Sequence, residues 1–75
     1  MDFVLEFDQE TDGRWMAEIP ELPGVLAYGE TRMQAGARVK ALALRVLADR
    51  MENENCLPTI NSIAFTAQNE PLAVN

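Results

Sequence analysis

The residues that most constrain the fold lie between positions 12 and 31, where three turn or helix-start signals follow one another. The pair Asp12-Gly13 is typical of a hairpin turn, because both residue types tolerate the positive φ that a type I′ turn requires. Pro20 and Pro23 cannot donate ladder hydrogen bonds and therefore end a strand. Gly24 suits the positive-φ position of a type II turn that begins at Pro23. Because these turns and the helix start follow one another closely, any strand between them must be short.

Alternating apolar residues predict the strands themselves. Residues 3–8 and 14–19 each show a period of two, which indicates an antiparallel hairpin whose loop, from about residue 9 to residue 13, is longer than two residues. Residues 25–28 are short and apolar and predict a third strand, which ends at Gly29. Residues 60–67 alternate again and predict a fourth.

One long helix is predicted between the third and fourth strands, from about residue 32 to about residue 53. Thr31 and Gln34 match the capping box that opens many helices. Gly36 costs up to about 1 kcal/mol relative to alanine, and a close backbone contact at that position would explain its presence. Of two apolar stripes, the one with larger side chains is predicted to face the sheet: Ala35, Val39, Leu42 and Val46. The other is either exposed alanine surface or an oligomer interface: Ala37, Ala41, Leu44 and Ala48.

The order β-β-β-α-β predicts an α+β fold, with one helix packed on a small mixed or antiparallel sheet. We expect the fourth strand to lie parallel to the first, through a right-handed connection. Residues 1–67 form the predicted domain, and residues 68–75 a short tail. A chain of 75 residues buries too little surface for high stability, which favours a homo-oligomer.

Charge divides the chain into two regions. Residues 1–30 hold eight acids and one base, whereas residues 31–50 hold five bases and one acid. This is either ordinary solvation of a strand face and a helix face, or an acidic surface that meets a basic partner. The net charge of −6 argues against direct nucleic-acid binding. With no visible signal peptide, no membrane span and a single cysteine, Cys56, the sequence predicts a cytoplasmic protein.

No catalytic constellation is visible. The chain has no histidine to activate Cys56, and Asp8, Glu10 and Asp12 crowd a turn, as expected of a solvated hairpin end. We therefore predict no enzyme activity, no metal and no cofactor. Trp15 and Tyr28 are either core residues or anchors for a partner.

The segments 12–24 (DGRWMAEIPELPG) and 27–31 (AYGET), followed by Ala35, resemble the HicB family of antitoxins. That family has an aromatic residue in a strand after a turn, then Pro-Glu-Leu-Pro-Gly, then Gly-x-Thr opening a helix. The resemblance covers residues 3 to about 50.

The resemblance implies a truncated ribonuclease-H-like domain whose partner is a HicA-type toxin, a small basic RNA-cleaving protein. The antitoxin would bind the toxin directly and cover its active site, and homo-oligomers would be common. On this hypothesis the toxin contacts are an acidic rim and one aromatic residue: Asp8, Glu10, Asp12, Glu18, Glu21 and Tyr28.

Two departures from the family pattern shape the expectations. The chain ends soon after the fourth strand, where the family usually continues into a DNA-binding module, so we expect no operator binding. Met33-Gln34 stands where family members commonly have acidic residues, just before the helix alanine, so contacts with a partner at this end of the helix would differ. The alternatives are a homo-oligomeric regulatory or structural module without a toxin and, by fold analogy alone, a minimal metal-dependent nuclease.

Overall fold

A computed structural model describes residues 1–53 and 62–67, which form one helix packed on a four-stranded mixed sheet. The elements in chain order are β1 (Asp2–Gln9), β2 (Trp15–Glu18), β3 (Leu26–Gly29), α1 (Arg32–Asn53) and β4 (Ala64–Ala67). The predicted order β-β-β-α-β and the α+β class are confirmed. The finer ribonuclease-H-like likeness stays a prediction.

The sheet has the strand order β3-β2-β1-β4. β2 is antiparallel to both of its neighbours, and β4 is parallel to β1, as predicted. Phe3 lies opposite Phe65 in the parallel pair, with ring centroids 5.9 Å apart. The fourth strand begins at Ala64, later than the predicted start near residue 60, since Ser62 and Ile63 lie before it. Residues 60–61, Cys56 and the tail 68–75 lie outside the described residues.

The β1–β2 hairpin turns through three residues. Glu10 N donates to Arg14 O at 2.7 Å, and Gly13 N donates to Glu10 O at 2.9 Å. Gly13 therefore follows the turn, with φ of +96°, as in a type I turn with a bulge. The loop is longer than two residues, as predicted. Asp12 and Gly13 are not the two central residues of a type I′ turn, however, which is the position that the sequence suggests for them.

The bend before β3 has the predicted chemistry. Val25 N donates to Leu22 O at 3.0 Å, which places Pro23 and Gly24 at the two central positions of the turn. Gly24 has φ of +87°, the value that a type II turn requires. Ile19 N then donates to Val25 O at 3.1 Å and leads the chain into the β2–β3 pair.

The start of α1 is capped by side chains. Gln34 N donates to Thr31 Oγ1 at 3.0 Å, and Ala35 N donates to Thr31 O at the same distance. Gln34 Oε1 accepts from Glu30 N at 2.7 Å. Gln34 N is one of the amides that the first turn of a helix leaves without an intrahelical partner, so the predicted cap at Thr31 is confirmed. Ala35 N makes the first ordinary helix bond, and Gln34 reaches back to the amide of residue 30 instead of the Thr31 amide that a full capping box would use.

The buried face of α1 differs in part from the predicted stripe. Ala35 and Val39 are buried as expected, but Leu42 and Val46 are only partly buried. Ala43 and Leu47 take their place in the core and continue an i, i+4 row. Such a row is inclined to the helix axis, so it stays in contact only where the helix crosses the strands at an angle. A linear pattern does not reveal that angle.

Two glycines let the helix approach the sheet. A Cβ at Gly29 would lie 2.6 Å from Ala35 N, inside the first turn of α1. A Cβ at Gly36 would lie 3.3 Å from Phe7 Cζ, because the aromatic ring packs against the helix there. Gly36 thus has the close contact that its position in a helix suggests.

Candidate functional site

The outer sheet face is the side of the sheet opposite α1. Odd-numbered residues of β1, such as Phe3 and Leu5, are buried under the helix, so the even-numbered residues point outward. The strand register aligns two rows across this face. We define the outer sheet face as Val4, Glu6, Asp8, Met16, Glu18, Leu26 and Tyr28.

The first row joins Asp8, Met16 and Tyr28. The guanidinium of Arg14 lies 5.2 Å from the centre of the Tyr28 ring. Its Nε donates to Asp12 Oδ2 at 3.0 Å, and Arg14 N donates to Asp12 Oδ1 at 3.1 Å. The backbone hydrogen bond, followed by the charge of the guanidinium, holds the pKa of Asp12 below its ordinary value. The hairpin turn therefore supports the aromatic ring on the outer sheet face.

The second row joins Glu6, Glu18 and Leu26. The two glutamates lie directly opposite each other on antiparallel strands, an arrangement in which like charges repel. Neither carboxylate forms an ion pair within the described part of the chain. A basic side chain from a partner, placed between them, would relieve this repulsion.

Apolar side chains lie among these acids. Val4, Leu26 and Tyr28 are 42%, 41% and 40% exposed. Glu21 lies at the margin, where its Oε1 accepts from Val4 N at 3.4 Å. Exposed apolar groups surrounded by charged residues are characteristic of protein-binding surfaces.

The structure brings together part of the predicted contact set. Asp8, Glu18 and Tyr28 share the outer sheet face, with Glu21 at its margin. Glu10 and Asp12 lie apart, in the hairpin turn, and Asp12 is paired with Arg14. The sequence reasoning missed four residues that strand alternation could have identified: Val4, Glu6, Met16 and Leu26.

The predicted oligomer stripe on α1 is exposed. Leu44 is 47% exposed, and the three alanines of the stripe are also open to solvent: Ala37, Ala41 and Ala48. Helix α1 covers the inner side of the sheet, so this stripe and the outer sheet face lie on opposite sides of the molecule. Arg38, next to the stripe, donates from Nη1 to Tyr28 O at 2.9 Å and so ties the helix to β3.

Within residues 1–53 and 62–67, no group of three or more aspartate, glutamate, histidine or cysteine residues is arranged to hold a metal ion. The same ranges contain no helix with the length and hydropathy that a bilayer crossing requires. Comparison with known proteins found no matching protein-family model, curated protein or solved structure.

Proposed function

We propose that this chain is a HicB-like antitoxin, and that its outer sheet face binds a HicA-type RNA-cleaving toxin and blocks it by direct contact. The observation that supports the proposal most is the row Glu6–Glu18–Leu26, in which two neighbouring carboxylates that form no ion pair within residues 1–53 and 62–67 lie beside an exposed apolar side chain. A basic protein surface would gain charge complementarity and apolar contact from the same patch.

The mode of action that fits this face is shielding. A toxin that cleaves RNA presents a basic surface to its substrate, and an acidic protein bound there would exclude the RNA. The protein would need no catalytic group, no metal and no cofactor, and it would act in the cytoplasm beside its partner. Purified protein incubated with RNA and Mg²⁺ or Mn²⁺ should leave the RNA intact; cleavage would contradict this mode of action.

The first experiment tests the partner. A small basic protein encoded beside this chain should arrest growth when expressed alone and lose that effect when both are expressed. The two should co-purify as one complex. If growth arrest persists with both proteins soluble, the antitoxin proposal is wrong.

The second experiment tests the face. In Glu18→Lys, the new lysine lies opposite Glu6, so the variant exchanges a repulsive cross-strand pair for an attractive one and should keep its fold. We expect its association with the toxin to slow about tenfold at low ionic strength, because electrostatic steering is lost.

The matched control is Glu52→Lys, the same charge change at an exposed position near the end of α1. It should leave the association rate close to that of the wild type. Equal slowing by both variants would mean that net charge, and not this face, controls binding.

A second candidate function is a homo-oligomeric module that acts without a toxin. The exposure of Leu44 beside three exposed alanines favours it, because small residues let two helices approach closely. On this proposal, Ala41→Glu or Leu44→Glu yields monomers in light scattering, where the wild type is oligomeric. A monomeric wild type refutes it directly.

A further inference from the structure

The outer edge of β3, its side away from β2, pairs with no other strand among residues 1–53 and 62–67, because β3 ends the strand order β3-β2-β1-β4. Ile19 N donates to Val25 O at 3.1 Å across the β2–β3 pair. Backbone groups alternate in direction along a strand, so the odd-numbered residues of β3 direct theirs to β2. The backbone N–H and C=O groups of Leu26 and Tyr28 therefore point outward from the sheet.

Little in β3 prevents pairing at this edge. Its sequence, Leu-Ala-Tyr-Gly, contains none of the charged residues or prolines that blunt many edge strands. Arg38 Nη1 donates to Tyr28 O at 2.9 Å, but a carbonyl oxygen has two lone pairs and accepts a second hydrogen bond. An added strand can thus bond to the amide and carbonyl groups of both Leu26 and Tyr28.

One antiparallel register satisfies all of these groups with a second β3. A twofold axis at Ala27 sets Leu26 of each copy opposite Tyr28 of the other, so that each such pair exchanges two hydrogen bonds. An axis one residue later would require the amide of Glu30, which already donates to Gln34 Oε1 at 2.7 Å. An axis one residue earlier would require the turn that precedes β3 to continue the strand. The outer edge of β3 is therefore complementary to itself in this register.

We propose that two copies of this chain join through the outer edge of β3, so that their two four-stranded sheets become one continuous sheet. A twofold dimer requires an interface that is complementary to itself, and this edge meets that condition. Charge favours the same contact. Each chain has a net charge of −6, and β3 lets two such chains meet along a strand without charged residues.

The position of α1 favours a second copy over an unrelated extended peptide. α1 packs chiefly on β3 and β2, so its axis lies near the space between those strands. With strands about 4.8 Å apart, joining the sheets places the two α1 helices about 10 Å from each other, which is within the ordinary range of helix packing. Arg38 lies on the flank of α1 nearest the edge, and Leu42, one turn later on that flank, is only partly buried. A second copy can cover Leu42, whereas an extended peptide would add only a strand.

The dimer would also enlarge the outer sheet face. Leu26 and Tyr28 are both exposed on that face, and in the dimer Leu26 of each copy lies beside Tyr28 of the other. Each toxin-binding surface then gains an apolar side chain from the second copy. This consequence rests on the proposed function, but the dimer itself does not, and it is tested below with the chain alone.

Amide hydrogen exchange of the ¹⁵N-labelled full chain, measured by NMR, tests the register. The amides of Ala27 and Gly29 face β2 and should be protected at every concentration. The amides of Leu26 and Tyr28 should gain protection as concentration rises. Small interfaces are weak; with a dissociation constant of about 0.1 mM, the monomer falls from about three-fifths of the chain at about 0.05 mM to about one-fifth at about 1 mM, and exchange at Leu26 and Tyr28 slows about threefold. Sedimentation equilibrium over the same range reports the dimer independently.

Two substitutions of one residue isolate the outward amide. Leu26→Pro removes the N–H that points away from the sheet and leaves the bonds to β2 intact, as edge strands tolerate. Leu26→Ala is the matched control, because it loses the same side chain and keeps the amide. The dissociation constant of the proline variant should exceed that of the alanine variant about tenfold, since the dimer loses two hydrogen bonds. Leu44→Glu, which would dissociate an oligomer held by the exposed stripe of α1, should leave this dimer intact.

Several results would overturn the proposal. A chain that sediments as a monomer up to about 1 mM forms no such dimer. Protection of Leu26 and Tyr28 in a monomer would assign the edge to another segment of the same chain. A dimer in which these two amides stay unprotected, or which Leu44→Glu dissociates, is held by a different surface. Equal dissociation constants for Leu26→Pro and Leu26→Ala would show that the outward amide does not contribute.

Discussion

Gly29 allows the contact between β3 and the first turn of α1, and Gly29→Ala is expected to destabilise the protein. The new Cβ would lie 2.6 Å from Ala35 N, about 0.8 Å inside the 3.4 Å at which ordinary contact begins. The atom it meets belongs to the backbone and cannot rotate away. Relief requires the helix start to move, which weakens the hydrogen bond from Ala35 N to Thr31 O.

The size of the effect follows from opposing terms. Overpacking costs about 1–3 kcal/mol, and a weakened hydrogen bond adds about 0.5–1.5 kcal/mol. Alanine stiffens the unfolded chain and offsets about 0.4–1 kcal/mol. Gly29 does not have a positive φ, so no backbone strain adds to these terms. We expect a net loss of about 0.5–4 kcal/mol in the free energy of unfolding.

Gly36→Ala is the matched control, because it makes the same substitution at another buried glycine of the same interface. Alanine gains about 0.8–1 kcal/mol of helix propensity, and its Cβ would meet the Phe7 ring at 3.3 Å. That ring is only partly buried and borders a cavity of about 430 Å³, so it can shift. The result should lie between neutral and about 1 kcal/mol more stable.

Urea denaturation followed by circular dichroism measures both variants. In thermal unfolding, each kcal/mol lowers the melting temperature by about 4–8 °C in a domain of this size. If Gly29→Ala equals or exceeds the wild type in stability, the close contact does not govern the packing of α1 on β3. If Gly36→Ala is as destabilised as Gly29→Ala, the Phe7 ring is held rigidly and does not shift to accommodate the new methyl group.

Three further predictions concern single contacts. Thr31→Ala removes the oxygen that accepts from Gln34 N and should lower the free energy of unfolding in urea by about 0.5–2 kcal/mol. Thr31→Ser should keep most of that stability. Equal losses in the alanine and serine variants would argue against the cap. Arg38→Ala breaks the bond to Tyr28 O and should cost about 0.5–1.5 kcal/mol, a prediction that fails if Arg45→Ala is equally destabilising. In an NMR titration, the pKa of Asp12 should stay below its ordinary value in Arg14→Ala, because the largest cause of the lowered pKa, the hydrogen bond from the backbone of residue 14, remains. Because the pKa of Asp12 is lower in the folded state, the stability that this carboxylate contributes is present above its unfolded pKa. That stability is lost as the pH falls through the folded pKa.

The sequence by itself determined the local elements. Period-two alternation identified β1 and β2, Pro23-Gly24 specified the bend before β3, and Thr31 with Gln34 marked the start of α1. These features depend on φ preferences, on the missing proline amide and on side chains that reach only a few residues. The β-β-β-α-β order and the pairing of β4 with β1 followed from them.

The tertiary structure alone decided which side chains meet. It set Glu18 opposite Glu6, because strand register depends on how the three-residue hairpin loop closes. Ala43 and Leu47 are buried in the core, whereas Leu42 and Val46 are only partly buried. The reason is that the rotation and crossing angle of a helix are set by its closest contacts, here at Gly29. Periodicity defines the apolar stripes of a helix, but it does not identify the stripe that faces the sheet.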